Sequence, residues 1–315
     1  MSTDPFAQNR RLGRGVNLGN ALEAPVEGEW GVTLREEYFQ LIREAGFDAV
    51  RIPIRWSAHA ALAAPYTIEP SFFERVDWAV KQALTRKLVV VVNMHHYEEV
   101  VQKPGEHRER FLALWAQIAD HYQSYPDDLL FEVLNEPNSE LKGDVWNELL
   151  AAAIRTIRNA NPTRNIVVGP GDWYNIGQLG NLLLPADDQH LIVSIHYYQP
   201  FHFTHQGAEW VSGADAWLGT TWQGTATEKQ MIGWDFDYAT AWAEKSRRPL
   251  YLGEFGAYSA ADMDSRARWT EYVARQAEER GMSWAYWEFC AGFGVYDGAA
   301  NRWNEPILRA LVAGP

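Results

Sequence analysis

Residues 88–95 read LVVVVNMH. Four consecutive valines give this run no polar side, so it does not alternate as a half-exposed strand would. A strand reads this way when both of its faces are covered, as in a parallel sheet packed under helices. Seven other short apolar or β-branched runs share the character, so that the set falls at 13–19, 49–54, 88–95, 129–136, 165–170, 191–198, 249–255 and 283–289. Amphipathic stretches separate them. The first opens at Thr33 with Glu36 three residues on, a capping-box pattern, carries Leu34, Tyr38, Leu41 and Ile42 on one side and stops at Gly46. A second opens in the same way with Ser71 and Glu74, and others are expected at about 107–124, 144–159, 264–280 and 305–313. Within 107–124, Phe111, Trp115, Ile118 and Tyr122 recur at helical spacing.

Strand starts follow one another at intervals of 26 to 41 residues, except for 58 between the sixth and the seventh, which marks a long loop insertion at about 199–248. Eight strand–helix alternations are the signature of an α/β chain closed into a (β/α)8 TIM barrel, here a single domain over residues 1–315. A doubly wound open sheet is the alternative. Against it, GRGVNLGN at 13–20 has glycines, but Asn17 and Asn20 stand where a nucleotide-binding helix would begin.

In such a barrel all strands point their C-terminal ends at one rim, and that is where the apolar runs here are interrupted by polar residues. The interruptions are Asn17 and Asn20, Arg51, His95 and His96, Asn135 and Glu136, His196 and Tyr198, Glu254, and Trp287 with Glu288. Arg, Glu and Asn are seldom buried without partners, so packing alone does not account for the set. Two carboxylates across a cleft, with no phosphate loop and no Ser or Cys nucleophile constellation, point to hydrolysis of a glycosidic bond. Their roles must differ, one a protonated acid and the other an ionised nucleophile. Arg51 and Tyr198 could hold one of the two ionised, and Asn135 could reach a sugar hydroxyl.

The blocks GVNLGN, VRIPIRW, NMHHY, LNEPN, IHYY, LGEFG and AYWEF, in this order from Gly15 onward, resemble glycoside hydrolase family 5, in particular its bacterial endo-β-1,4-glucanases. The resemblance runs to about Trp303. It implies that Glu136 is the acid/base and Glu254 the nucleophile, that Arg51 and Tyr198 position Glu254, and that His196 contacts the acid/base. It further implies that His95 and Asn135 bind sugar hydroxyls at the cleavage point, that Trp287 forms the floor beneath that sugar, and that His96 is support. The reaction expected is double displacement on internal β-1,4-glucosidic bonds of cellulose or a related β-glucan, with transglycosylation as a side outcome. A β-mannanase or mixed-linkage glucanase of the same fold is the alternative. Among loop aromatics, Trp173, Tyr174, Phe201, Trp210, Trp217 and Trp222 could each be packing or an outer sugar subsite, and Trp173, directly after a strand, is favoured as a subsite.

The chain carries 28 Lys and Arg against 41 Asp and Glu, a net charge of −13, which argues against a nucleic-acid partner. No apolar run approaches the length of a membrane span. No metal and no organic cofactor are expected. A metal-dependent barrel hydrolase built on His95, His96 and His196 is a rival reading, but the first strand ends in NLGN without a ligand. A barrel that binds carbohydrate without cleaving it is a second rival, opposed by the presence of both glutamates. The lone Cys290 reads as a small buried residue, and DGAANRWNE from Asp297 as a turn, its acidic spacing being wrong for an EF-hand. The opening MSTDPFAQNRRLGRG lacks the apolar stretch of a secretory signal. The family resemblance nonetheless implies work outside the cell, extracellular or periplasmic.

Overall fold

A computed structural model of the chain describes residues 4–312. Eight parallel strands, each in register with the next, close into a barrel: β1 Arg14–Asn17, β2 Ala49–Ile52, β3 Val89–Asn93, β4 Leu129–Glu132, β5 Ile166–Val168, β6 Leu191–Tyr197, β7 Leu250–Phe255 and β8 Ser283–Tyr286, with β8 pairing back onto β1. The valine run at 88–95 explains itself here. Val89 and Val91 point into the barrel with Ala49, Leu130, Val167, Ile192, Tyr251 and Ala285, while Val90 and Val92 belong to the larger cluster beneath the surrounding helices. Both faces are dry, so neither parity tolerates a polar residue until the strand ends.

Following the inward parity one step further toward the C-terminal ends leads to the polar groups. Ala49 is succeeded by Arg51, Val91 by Asn93, Leu130 by Glu132, Ile192 by Ser194 and then His196, and Ala285 by Trp287. The pleat thus converts an apolar interior into a polar mouth. Between β6 and β7 the pairing slips at Ile195/His196, so that His196 sits opposite Glu254 and Gly253 is passed over. A methyl group on Gly253 would lie 2.5 Å from Ser194 Oγ and 3.0 Å from His196 Nε2, so only glycine fits in this bulge.

The helices fall close to the expected ones: Glu36–Glu44, Pro70–Thr85, Pro104–His121, Gly143–Ala160, Met263–Glu279 and Glu305–Val312. Residue 313 of the last expected helix lies outside the described residues. Phe111, Trp115, Ile118 and Tyr122 are all buried. The two expected capping boxes do not form. Residues 33–35 stay extended, held by Leu34 N–H on the Glu27 carboxylate, and the helix starts after Arg35 with no side-chain cap. Pro70 takes the first turn of the second helix, which places Ser71 inside it rather than ahead of it. A true capping box occurs at Thr225 and Glu228, where the 21-residue helix Ala226–Ser246 begins. That helix occupies much of the segment read as a loop insertion. The irregular part is confined to 199–225. Its buried face is Ile232, Phe236 and Ala239, and the exposed Met231, Trp234 and Tyr238 on its other sides blur the apolar periodicity. A short N-terminal helix, Pro5–Leu12, sends Leu12 into the inner apolar cluster. The turn at Asp297 joins a two-stranded hairpin, β9 Tyr296–Asp297 and β10 Arg302–Trp303, its carboxylate accepting from the N–H groups of Ala299 and Ala300.

Candidate active site

Arg51 is the centre of the mouth. It is fully buried, and each of its five N–H groups has an acceptor: Nε and Nη2 on the two oxygens of Glu132 at 2.6 and 2.8 Å, Nη2 also on Asn135 Oδ1 at 2.7 Å, and Nη1 on Asn17 Oδ1 at 2.8 Å and Glu254 Oε1 at 2.7 Å. Asn17 is held in turn by its amide N–H groups on the carbonyls of Gly253, Ala285 and Tyr286. Glu254 receives a second bond from the Tyr198 hydroxyl, 2.9 Å from Oε2. Glu136 sits across from it, with His196 Nδ1 2.6 Å from Glu136 Oε1 and 3.6 Å from Glu254 Oε2. One ligating atom from each of Glu136, His196 and Glu254 falls within 4.8 Å of the others.

Burial pushes the Glu136 carboxyl up to about 7, although Arg51 and His96 pull the other way. Burial raises Glu254 too; His196 nearby and Arg51 oppose it, and Arg51 and Tyr198 do so with hydrogen bonds to the carboxylate itself. The difference in contacts separates the pair. Glu254 carries a direct guanidinium and a phenol donor; Glu136 has its closest partner in an imidazole that burial drives down to about 4, hence uncharged near neutrality. The geometry therefore favours a proton on Glu136 and a charge on Glu254.

His95 and Trp287 border this network with nearly parallel rings, 6.0 Å between centroids and 15° apart. Asn93 fixes the His95 tautomer. Its Oδ1 accepts from Ile54 N–H, so its NH2 group faces His95 Nδ1 at 3.0 Å, leaving His95 with its proton on Nε2 as a donor. Trp287 is clamped from both sides: a methyl group at Gly256 would lie 2.1 Å from its carbonyl oxygen, and one at Gly19 would lie 2.9 Å from its ring. Beside Gly19, the Asn20 N–H bonds to the buried Glu23 carboxyl, which also accepts from Ala21 N–H and is raised to about 8 by its burial. Glu288, the neighbour of Trp287, turns away from the cleft and accepts from the N–H groups of Cys290, Ala291 and Phe293.

The structure thus brings Arg51, Asn135, Glu136, His196, Tyr198 and Glu254 into one network, with His95 and Trp287 along its edge. His96 stands behind His95, ring-edge to it at 4.5 Å, and on its other sides meets Trp30 at 5.5 Å and Glu98 at 3.7 Å. Among the described residues the group spaced to hold an ion is the carboxyl pair with His196, and it includes neither His95 nor His96. The loop aromatics divide. Trp222 and Tyr174 are fully buried, Trp217 stacks on His202 at 4.2 Å and Phe201 on His205 at 4.1 Å, whereas Trp173 and Trp210 remain 57% and 61% exposed. Trp173 is tied to the loop of Glu136 through its N–H on Pro137 O at 3.2 Å. Sequence reasoning missed Glu132, Asn93 and the supporting part of Glu23. The signal was available for Glu132: an acid inside LLFEV, on the inward parity, needs a buried cation.

Residues 14–292 match the family description Cellulase (glycosyl hydrolase family 5). The chain belongs to glycosyl hydrolase family 5. Endoglucanase H of Acetivibrio thermocellus is 36% identical over 98% of this chain, which spans only 34% of that relative's length, and Endoglucanase B of Clostridium cellulovorans is 29% identical over 95% of this chain and 73% of its own. Among solved structures, the endoglucanase Cel5A from the hyperthermophilic Thermotoga maritima is 52% identical with a TM-score of 0.97, covering 98% of this chain and 100% of that one. Structures of that family 5 protein have been solved with cellobiose and with mannotriose. The barrel is thus that of the family.

Proposed function

We propose that this family 5 domain is a retaining endo-β-1,4-glucanase, with Glu136 as acid/base and Glu254 as nucleophile. The observation that carries the reading is the spacing of the carboxyl pair. One oxygen of each carboxyl lies within 4.8 Å of the other, which suits the ~5–5.5 Å separation of a retaining pair better than the roughly 6.5–9.5 Å at which an inverting pair admits a water. Glu254, oriented by Arg51 and Tyr198, attacks the anomeric carbon as Glu136 gives its proton to the departing glycosidic oxygen. Glu136, now a carboxylate, takes a proton from water, whose oxygen displaces Glu254 from the sugar. A sugar hydroxyl in place of water gives transglycosylation. Trp287 offers its flat face to the sugar at the cleavage point, while His95 Nε2–H and the Asn135 amide donate to its hydroxyls. Trp173 and Trp210 serve as outer sugar platforms, and Asn20 lies at the rim beside Trp287. An open polymer substrate places the work outside the cell, which fractionation of the native host would test.

A β-mannan substrate is the second reading, favoured by the mannotriose complex of the 52% identical Cel5A. Initial rates on carboxymethyl cellulose, barley glucan, glucomannan and mannan decide between them. Rates on the glucans at or above that on mannan are expected; a mannan rate well above every glucan would reverse the assignment. Proton NMR of the first reducing ends released from a β-glucan should show the β-anomer.

A further inference from the structure

Glu132 has no place in the chemistry described so far, yet it is a carboxylate with no exposed surface at the bottom of the active site. Both of its oxygens are spent on Arg51, at 2.6 and 2.8 Å, on the side of the guanidinium away from Glu254. The remaining three N–H groups of Arg51 go to Asn17, Asn135 and Glu254, which exhausts its five donors. We propose that Glu132 is a positioning residue of the reaction: it locks the rotation of the Arg51 guanidinium and cancels its charge, so that Arg51 meets Glu254 as one directed N–H donor and not as a net positive charge. The proposal rests on the reading of Glu254 as nucleophile and Glu136 as acid/base.

Two physical arguments support it. A buried ion pair is a poor way to gain stability, because apolar residues of the same volume do as well or better, so its presence beneath a reactive carboxylate points to placement. The charge balance is the second. With Arg51 alone, Glu136 would give up its proton too readily; the Glu132 charge raises its proton affinity again, and by neutralising Arg51 it also weakens the pull of the guanidinium on Glu254. The other titratable groups around this cluster are His95 and His96 beyond β3, Tyr174 beyond β5, His196 and Tyr198 at the end of β6, and Tyr251 on β7. Burial lowers His95 and His196 and raises the three tyrosines, so over the working pH range those five of the six groups keep their charge state.

The test compares Glu132→Gln with Glu132→Asp in pH profiles of kcat/KM on an aryl β-cellobioside. Gln keeps the length and loses the charge; both limbs of the bell should move to lower pH, by about one unit or more. Asp keeps the charge but falls a methylene short; its limbs should stay within about 0.3 unit of the parent while kcat drops about tenfold or more with KM little changed. Limbs of Glu132→Gln that coincide with the parent's would overturn the proposal, as would an equal displacement in both variants. Should Glu132→Gln yield no folded protein, Glu132→Asp decides alone, and a kcat within twofold of the parent overturns the positioning role. Glu254→Gln runs as a control: if it turns over, the assignment of the nucleophile fails, independently of what Glu132 does.

Discussion

Replacing Tyr198 with Phe removes one oxygen and, in the structure, one hydrogen bond: the 2.9 Å contact to Glu254 Oε2. The ring keeps its edge contacts with His205 and Phe293, 4.9 and 6.2 Å between centroids, so the fold should be little affected. A hydrogen bond to a charged acceptor contributes about 1.5–3 kcal/mol, and at 1.36 kcal/mol per unit this corresponds to about 1–2 units of carboxyl pKa. The sign follows from which form the bond favours. Tyr198 stabilises the ionised nucleophile, so its loss raises the pKa of Glu254, adding to the rise that burial already imposes. The nucleophile must be ionised to act, so the acid limb of kcat/KM moves to higher pH by about 1–2 units, and the alkaline limb, set by Glu136, stays near its place. The second step should suffer as well, since Glu254 regains its full charge as it leaves the sugar; with the Arg51 contact intact, about a tenfold loss in kcat on an activated aryl cellobioside is expected. The assay is a pH series of initial rates with thermal unfolding as a control. An acid limb displaced by less than about 0.3 unit in a folded Tyr198→Phe protein would refute the reasoning.

Activity of the parent should fall as pH rises through about 7, where Glu136 loses the proton it must donate, and a pH series on a substrate with a poor leaving group reads this directly. In Glu136→Ala that alkaline limb should vanish on dinitrophenyl cellobioside, the second step should become limiting, and added azide should restore turnover with β-cellobiosyl azide as product. Gly256→Ala drives a methyl group against the Trp287 carbonyl 2.1 Å away, with no side chain able to yield; about 1–3 kcal/mol of stability and most of the activity should be lost together, measured by denaturant midpoint and rate. Thr225→Ala removes the capping box of the helix Ala226–Ser246 and should cost about 1 kcal/mol in chemical unfolding with kcat unchanged. Trp173→Ala should raise KM for long glucans more than for cellobiosides if its exposed ring, on the loop beside Glu136, is the outer sugar platform proposed above.

Much of this was legible because β-strands in a dry barrel must be apolar, so each polar interruption carries information. The runs at 88–95, 129–136 and 249–255 announced three of the strands and the residues at their ends, and Arg51, His95, Glu136, His196, Tyr198, Glu254 and Trp287 all lie at the rim as expected. What escaped depends on contacts distant in sequence. Glu132 looks like an anomaly until Arg51 is seen beside it, and Asn93 acquires a purpose only when its amide is fixed by Ile54 N–H. The helix Ala226–Ser246 was hidden because Trp234 and Tyr238, exposed on its outer side, dilute the pattern made by Ile232, Phe236 and Ala239. Thr33 and Ser71 matched a capping pattern in spacing alone; Glu27 and Pro70 set the helix starts elsewhere.

In the proposed mechanism Glu254 becomes covalently bonded to the sugar while Glu136 handles the proton. Incubation with 2,4-dinitrophenyl 2-deoxy-2-fluoro-β-cellobioside makes the first step faster than the second and lets the intermediate accumulate. Peptide mapping by mass spectrometry should then find one fluorocellobiosyl group per chain, on the peptide containing Glu254 and at that residue. A label on Glu136, or stoichiometric dinitrophenol release with every peptide unmodified, would contradict the account.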